Sequence, residues 1–276
     1  MRMLVDAVWL ADHLDEVDLV DVRWSPGDPT TAAIQSFEAG HIPGAVLLDV
    51  DRDLAGDPAV GPGRHPLPSP EAFARTLGEA GIGGDRPVVA YDDAGDSFAA
   101  RLWWMLDGTG RACALLDGGL AGWTGPLETG PSRPGVPVAV EPRPWPTGRL
   151  ADADEVLAGG RTVLDVRAPE RYRGEVEPFD PVAGHIPGAR NAPWTANLDG
   201  DGRFLPADAL RAHYSAFAVD DRAIAQCGSG ITACHSLFAM RLAGLGDARL
   251  YDGSWSDWVR DPKRPVATGE EPGTLG

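Results

Sequence analysis

One short run holds the side chains best suited to covalent chemistry. It reads Gln226, Cys227, Gly228, Ser229, Gly230, Ile231, Thr232, Ala233, Cys234, His235. The apolar stretch Arg222–Ala225 precedes it and reads as a buried strand, and Leu237–Leu242 follows it and reads as a helix. Cys227 therefore stands where a strand ends, in a tight loop of glycines and small hydroxylated residues, just before a helix begins. Glycine lets backbone N–H groups turn inward with no Cβ in the way, and a helix start adds partial positive charge. Such a loop cradles an anion, and the nearest anion is the Cys227 thiolate itself. The pattern predicts nucleophilic chemistry at sulfur rather than a buried structural cysteine.

The remaining cysteines do not extend that chemistry. Cys234 is expected on the following helix as a small buried residue, and Cys227, Cys234 and His235 lack zinc spacing, so no metal is expected. Three cysteines make no disulfide framework, which fits a reducing, cytoplasmic setting. The N-terminal residues carry Asp6 within their apolar part and no small-residue cleavage site, so a signal peptide is not expected. No apolar run reaches membrane-spanning length. A formal net charge of −17 argues against nucleic acid and acidic membranes as partners. Lys263 is the only lysine, so an anionic substrate must be held by arginine or by backbone N–H groups.

The elements that position the loop are legible because the chain repeats. Asp21-Val22-Arg23 returns as Asp165-Val166-Arg167, and the Gly-His-Ile-Pro-Gly-Ala motif of Gly40–Ala45 returns as Gly184–Ala189, both at an offset of 144. Farther on, Asp117-Gly118 returns as Asp252-Gly253 and Trp123 as Trp258, at an offset of 135. The first half therefore carries nine extra residues, placed in the Gly/Pro-rich stretch from Asp53 to Pro68. In each half, buried strands alternate with helices, which predicts parallel βαβ units in a sheet covered on both faces. Ligands of such sheets gather at the carboxyl ends of strands, where Cys227 falls. The expected organisation is a first domain over residues 1–124, an extended Pro/Gly-rich linker over 125–147 and a second domain over 148–276, with a loosely ordered tail after Arg260. The first-half loop places Asp92 opposite Cys227 and carries Asp93 and Asp96 nearby, so it lacks the thiol and repels anions. Those acids are expected to cap the helix that follows. Residues 1–124 hold 20 acidic and 8 basic side chains, whereas residues 148–276 hold 19 and 14, so the half with the cysteine is the less hostile to anions.

These motifs together resemble the tandem-domain rhodaneses. The loop Cys227–Ala233 is similar to that of their mercaptopyruvate sulfurtransferase branch, whereas the thiosulfate branch has Arg and Lys directly after the cysteine, where this chain has Gly228 and Ser229. The resemblance implies an α/β fold of two tandem rhodanese-like domains, each a parallel sheet flanked by helices, with the active site between them. It implies Cys227 as the persulfide-forming nucleophile, with Ser229, His65 and Asp51 as a set that moves a proton. Arg171, in Glu170–Gly174, matches a substrate-carboxylate arginine. The family's second such arginine falls near Phe179, so that contact is missing or supplied elsewhere, with Arg173 as one candidate. Gly228, Gly230, Ile231 and Thr232 would supply the amides that hold the charged sulfur.

The resulting expectation is a sulfurtransferase. It takes sulfur from a small anionic donor, preferably 3-mercaptopyruvate, and passes it to a small thiol, a thioredoxin-like protein or cyanide, with no cofactor. Thiosulfate sulfurtransferase is the runner-up. A cysteine phosphatase is disfavoured because the first arginine after Cys227 is Arg241, deep in the next helix. A non-catalytic binding module is disfavoured by the complete loop. His41 and His185 occur in both halves, including the inert one, and are expected to build turns. Trp103, Trp104, Trp255 and Trp258 are expected to pack in apolar interiors.

Overall fold

A computed structural model describes residues 2–25, 29–246 and 248–275 of the chain. The repeated Val- and Leu-rich runs form strands in both halves. In the first they are β1 (Leu4–Val5), β2 (Asp18–Arg23), β3 (Val46–Asp49), β4 (Val88–Tyr91) and β5 (Cys113–Leu116). In the second they are β6 (Leu150–Ala151), β7 (Val163–Asp165), β8 (Arg190–Asn191), β9 (Ile224–Gln226) and β10 (Arg249–Tyr251). Each set makes one all-parallel sheet, in the order β1-β5-β4-β2-β3 and β6-β10-β9-β7-β8. The two orders are the same, so the sequence repeat is a structural repeat. Continuous apolar strands suit sheets covered on both faces: β4 is buried throughout, as is β9.

Helix starts follow local chemistry. Asp6 accepts from the Trp9 N–H, Ser69 from the Ala72 N–H ahead of Pro70, and Asp152 from the Glu155 N–H, each satisfying a donor the first helical turn leaves open. Trp103, Trp104, Trp255 and Trp258 are buried. Among the described residues no helix is long and apolar enough to cross a membrane.

The chain divides into two compact units, one of residues 1–56, 67–146 and 200–203, the other of 57–66, 147–199 and 204–276. The extra residues of the first half are thus largely a loan: Asp57–Pro66 packs with the second unit. Arg260 ties it down by donating to the carbonyls of Pro58 (2.9 Å), Gly61 (2.7 Å) and Gly63 (2.5 Å).

The shared motifs turn out to be braces. In the second unit Arg167 donates to both oxygens of Asp165 and to the Gly184 carbonyl, joining the end of β7 to the Gly-His-Ile-Pro turn. Arg23 does the same with Asp21 and the Gly40 carbonyl in the first. His41 stacks on Phe37, and His185 on Tyr172, each with ring centroids 3.8 Å apart, and each Nδ1 hydrogen-bonds the carbonyl of its stacking partner. The tail departs from expectation. His185 and Ala267 exchange two backbone hydrogen bonds (2.8 and 2.9 Å), the Gly269 N–H donates to the Arg173 carbonyl, and the Gly188 N–H to the Pro272 carbonyl. His41 and Glu128 exchange the same pair in the first unit. The linker and the tail therefore serve as equivalent straps, a role carried by backbone groups that leaves no mark on side-chain patterning.

Candidate active site

The central strand β9 ends at Gln226 and delivers Cys227 to the carboxyl edge of its sheet. The segment after β10 laces the loop in place. The Cys227 N–H donates to Ser254 Oγ (3.1 Å), the Cys227 carbonyl accepts from the Trp255 N–H (3.0 Å), and the Gly228 carbonyl accepts from the Ser256 N–H (2.9 Å). Gly230 adopts φ +81°, and a Cβ there would run into the Asp252 carbonyl, so a tight turn of this kind admits only glycine. Helix Ile231–Leu242 begins directly after it, with Ile231 and Thr232 in its first turn. Cys227 is 2% exposed and Ser229 is 7% exposed. Cys234 is fully buried, and its Sγ donates to the Gly230 carbonyl at 3.3 Å, which fixes it as a helix-start residue.

His65 arrives on the loaned segment, and its Nδ1 shares a hydrogen bond of 2.7 Å with Ser229 Oγ. The residue before it is Arg64, whose N–H donates to Ser256 Oγ (3.0 Å) and whose guanidinium is ion-paired with Asp180. Arg171 pairs with Glu177 (2.6 Å) and lies 3.9 Å from Asp180. Both guanidiniums converge on Gly228: a Cβ built there would stand 3.2 Å from an Arg64 nitrogen and 3.4 Å from two of Arg171. Phe179 lies beneath both, with its ring centroid 5.5 Å from Arg64 and 5.2 Å from Arg171. Behind them Arg167 is stacked on Trp255 at 4.7 Å and bound by Asp165 and Glu177. Burial works against its charge, but Asp165, Glu177 and Cys227 outweigh that and raise its pKa above the ordinary arginine value.

The structure thus brings Cys227, Ser229, His65, Gly228, Gly230, Ile231, Thr232 and Arg171 together. Arg173 is engaged elsewhere. Its guanidinium is bound by Glu175 at 2.8 and 2.9 Å in an exposed pair. Arg64, not Arg173, stands beside Arg171 at Gly228. The sequence reading missed Arg64 because it lies in the unrepeated segment and its partner Asp180 is 116 residues away. Asp51 belongs to the other unit, in helix Val50–Asp53, where it accepts from Trp24 Nε1 at 3.2 Å. Among the described residues no group of three or more His, Cys, Asp or Glu is arranged to hold a metal ion.

The equivalent loop of the first unit shows what such a turn does with an anion. The Asp92 carboxylate, at the position of Cys227 in the repeat, accepts from the N–H groups of Ala94, Asp96, Phe98 and Ala99 at 2.7–2.9 Å. Of the three acids only Asp92 bonds to amides at the start of helix Ala99–Gly108, those of Phe98 and Ala99, and burial still lifts its pKa to about 6. Asp93 instead pairs with Arg23 at 2.6 Å. Asp96 is fully buried at φ +62°, and burial first, then the charges of Asp92 and Asp117, push its pKa well above the usual carboxylate range. A raised carboxyl pKa means that folding takes up a proton, so stability falls as pH rises from the unfolded value of about 4 toward the folded one. Asparagine tolerates this backbone conformation and carries no charge. Asp96→Asn is therefore expected to raise stability at pH 8 by about 1–3 kcal/mol, with the gain shrinking toward pH 4. Thermal unfolding across that range checks it, and a gain independent of pH would contradict the assignment.

Comparison with known proteins gives a consistent picture. A family model described as Rhodanese-like domain matches residues 6–126 and 149–261. A relative named probable 3-mercaptopyruvate sulfurtransferase, from Pseudomonas aeruginosa, is 47% identical, with 97% of this chain and 98% of the relative covered. A putative thiosulfate sulfurtransferase, SseB of Mycobacterium tuberculosis, is 42% identical over the same shares. Among solved structures, the 3-mercaptopyruvate sulfotransferase SseA from Escherichia coli superposes with a TM-score of 0.78 at 34% identity, covering 93% of this chain and 100% of that one.

Proposed function

This chain belongs to the rhodanese family and is a sulfurtransferase, and from that premise we propose that it moves sulfur from 3-mercaptopyruvate through a persulfide on Cys227 to a thiol or cyanide. The Cys227 thiolate attacks the donor's sulfur, the new S–S bond forms as the donor's C–S bond breaks, and pyruvate leaves as its enolate. That carbon needs a proton. The donor's own thiol proton is available for it, relayed by Ser229 and His65, which leaves the persulfide charged. Arg171 grips the carboxylate as a two-pronged donor. Amides of the loop and the first turn of the helix, from Gly228 to Thr232, hold the charged sulfur before and after transfer. The same convergence of amides on Asp92 supports this role. A small thiol or a thioredoxin-like protein is the proposed acceptor, and three free cysteines fit the reducing cytoplasm such acceptors need.

The 2.7 Å hydrogen bond between His65 and Ser229 carries the choice of donor. Thiosulfate releases sulfite, a stable anion with no carbon to protonate, and has no use for that pair. Thiosulfate remains the second reading because two guanidiniums, those of Arg64 and Arg171, stand at Gly228, where a doubly charged sulfonate would bind. Turnover of each donor, with pyruvate and sulfite quantified, separates the two. A several-fold higher kcat/KM for 3-mercaptopyruvate is expected, and faster thiosulfate turnover would reverse the assignment.

A further inference from the structure

In both units a separation of 17 residues joins the arginine at a strand end to the glycine whose carbonyl it binds, Arg23 to Gly40 and Arg167 to Gly184. In the first unit most of that stretch supports itself as helix Pro29–Ala39. In the second it makes only the short helix Pro169–Tyr172 and then an irregular loop, residues 174–184. That loop carries Glu177, which pairs with Arg171 at 2.6 Å, as well as Phe179 and Asp180. The C-terminal tail closes its neck. The Gly269 N–H donates to the Arg173 carbonyl (2.9 Å) at one end, and Ala267 and His185 exchange two backbone hydrogen bonds (2.8 and 2.9 Å) at the other. Both neck residues are glycines at positive φ, +78° at Gly174 and +127° at Gly184. A Cβ on Gly184 would run into the Ala267 carbonyl, and one on Gly174 would stand 3.1 Å from the Thr268 methyl, so the tail lies as close as glycine permits. Beyond the neck the tail is anchored by the Gly188 N–H, which donates to the Pro272 carbonyl (2.6 Å), and by Leu275, packed against the apolar core.

We propose that the C-terminal tail, residues 266–272, is a positioning element of the active site: it pins the neck of the loop that holds Arg171 in its donor-binding orientation. This rests on the reading of the donor as a small anion gripped by Arg171. An irregular loop regains conformational freedom when its ends part, and closing the ends is what fixes its interior. Arg171 lies just before the neck and its partner Glu177 just inside it, so the neck sets the register between arginine and carboxylate. Glu177 also accepts from the N–H groups of Phe179 (3.1 Å) and Asp180 (3.3 Å), so the loop follows its carboxylate as one piece. The reactive thiol hangs from a different support, the bonds of Cys227 to Ser254 and Trp255. Release of the tail therefore loosens the grip on the donor and spares the nucleophile.

Two variants release the tail. A chain ended at Pro265 removes it, and Ala267→Pro deletes one donor of the His185 pair in the full-length chain, which keeps the test open if the shortened chain does not fold. The readouts are KM and kcat for 3-mercaptopyruvate, the rate of Cys227 alkylation by neutral iodoacetamide, and the ratio of the iodoacetate rate to that rate. KM is expected to rise about tenfold in the shortened chain and about threefold in Ala267→Pro, with kcat within about twofold, as the loss of one or two backbone hydrogen bonds implies. The iodoacetate/iodoacetamide ratio should fall by similar factors while alkylation by iodoacetamide stays unchanged. An unaltered KM and ratio in folded Ala267→Pro would overturn the proposal. So would a parallel loss of kcat and of iodoacetamide reactivity, since a tail that only stabilises the fold has no reason to weaken anion binding alone. If the wild type turns over thiosulfate and not 3-mercaptopyruvate while the ratio still falls in the variants, the donor assignment fails and the role of the tail stands.

Discussion

Cys227→Ser is expected to reduce sulfur transfer by about a thousandfold or more while leaving the fold intact. The two side chains differ little in size, and the site of substitution is a loop held by backbone bonds that the change does not touch: the Cys227 N–H to Ser254, and its carbonyl to the Trp255 N–H. Stability should move by less than about 1 kcal/mol. Chemistry has no such tolerance. A serine hydroxyl is a far weaker nucleophile than a thiol, and an oxygen cannot store a transferable sulfur as a persulfide does. Mass spectrometry after incubation with 3-mercaptopyruvate should find one added sulfur atom on wild-type Cys227 and none on the serine variant. Cys234→Ala, by contrast, should retain transfer, because its thiol is fully buried and bonded to the Gly230 carbonyl. Transfer activity surviving in Cys227→Ser, or lost only in Cys234→Ala, would remove the nucleophile from the centre of the mechanism. Absence of an adduct with any donor would favour a binding module over an enzyme.

The parts of this site that the sequence disclosed are those encoded in contiguous residues. A strand end, two glycines, a hydroxyl and a helix start lie within the ten positions around Cys227, and their local chemistry dictates the turn. The fold was legible for a related reason: the repeat shows two copies of one solution, so that each weak strand signal is read twice. His65 came from resemblance to a family, not from its surroundings. Arg64 sits beside it in sequence and was passed over because nothing local separates an arginine that packs against the cysteine loop from one that faces water. Its meaning lies in Asp180 and Gly228, more than a hundred residues away. Arg173 illustrates the opposite case. It lies two residues from Arg171, yet helical geometry places residues two apart on different faces, and Glu175 completes an exposed pair there. The straps at Glu128 and Ala267 were invisible because backbone pairing has no sequence signature.

Arg167→Met is expected to cost about 3–5 kcal/mol of stability, the largest effect of any substitution away from the nucleophile. The Arg167 and Asp165 side chains are 1% and 0% exposed, and Glu177 is 3% exposed. Removing the guanidinium leaves the Asp165 carboxylate in the interior without its ion pair, takes one of two cations from Glu177, breaks the brace from β7 to the Gly184 carbonyl at 2.7 Å, and withdraws the cation stacked on Trp255. The penalty arises from uncompensated charge rather than from lost packing, because methionine fills much of the same volume. This makes a compensated variant informative. Arg167→Met combined with Asp165→Leu and Glu177→Gln should recover more than half of the lost stability, measured by thermal unfolding with the two units followed separately. Function should not recover in parallel, because Glu177 also orients Arg171 at 2.6 Å. Stability returning without sulfur transfer would show that the paired charges behind the loop serve the chemistry as well as the fold. If the single variant unfolds within about 1 kcal/mol of wild type, the buried network is not the brace described.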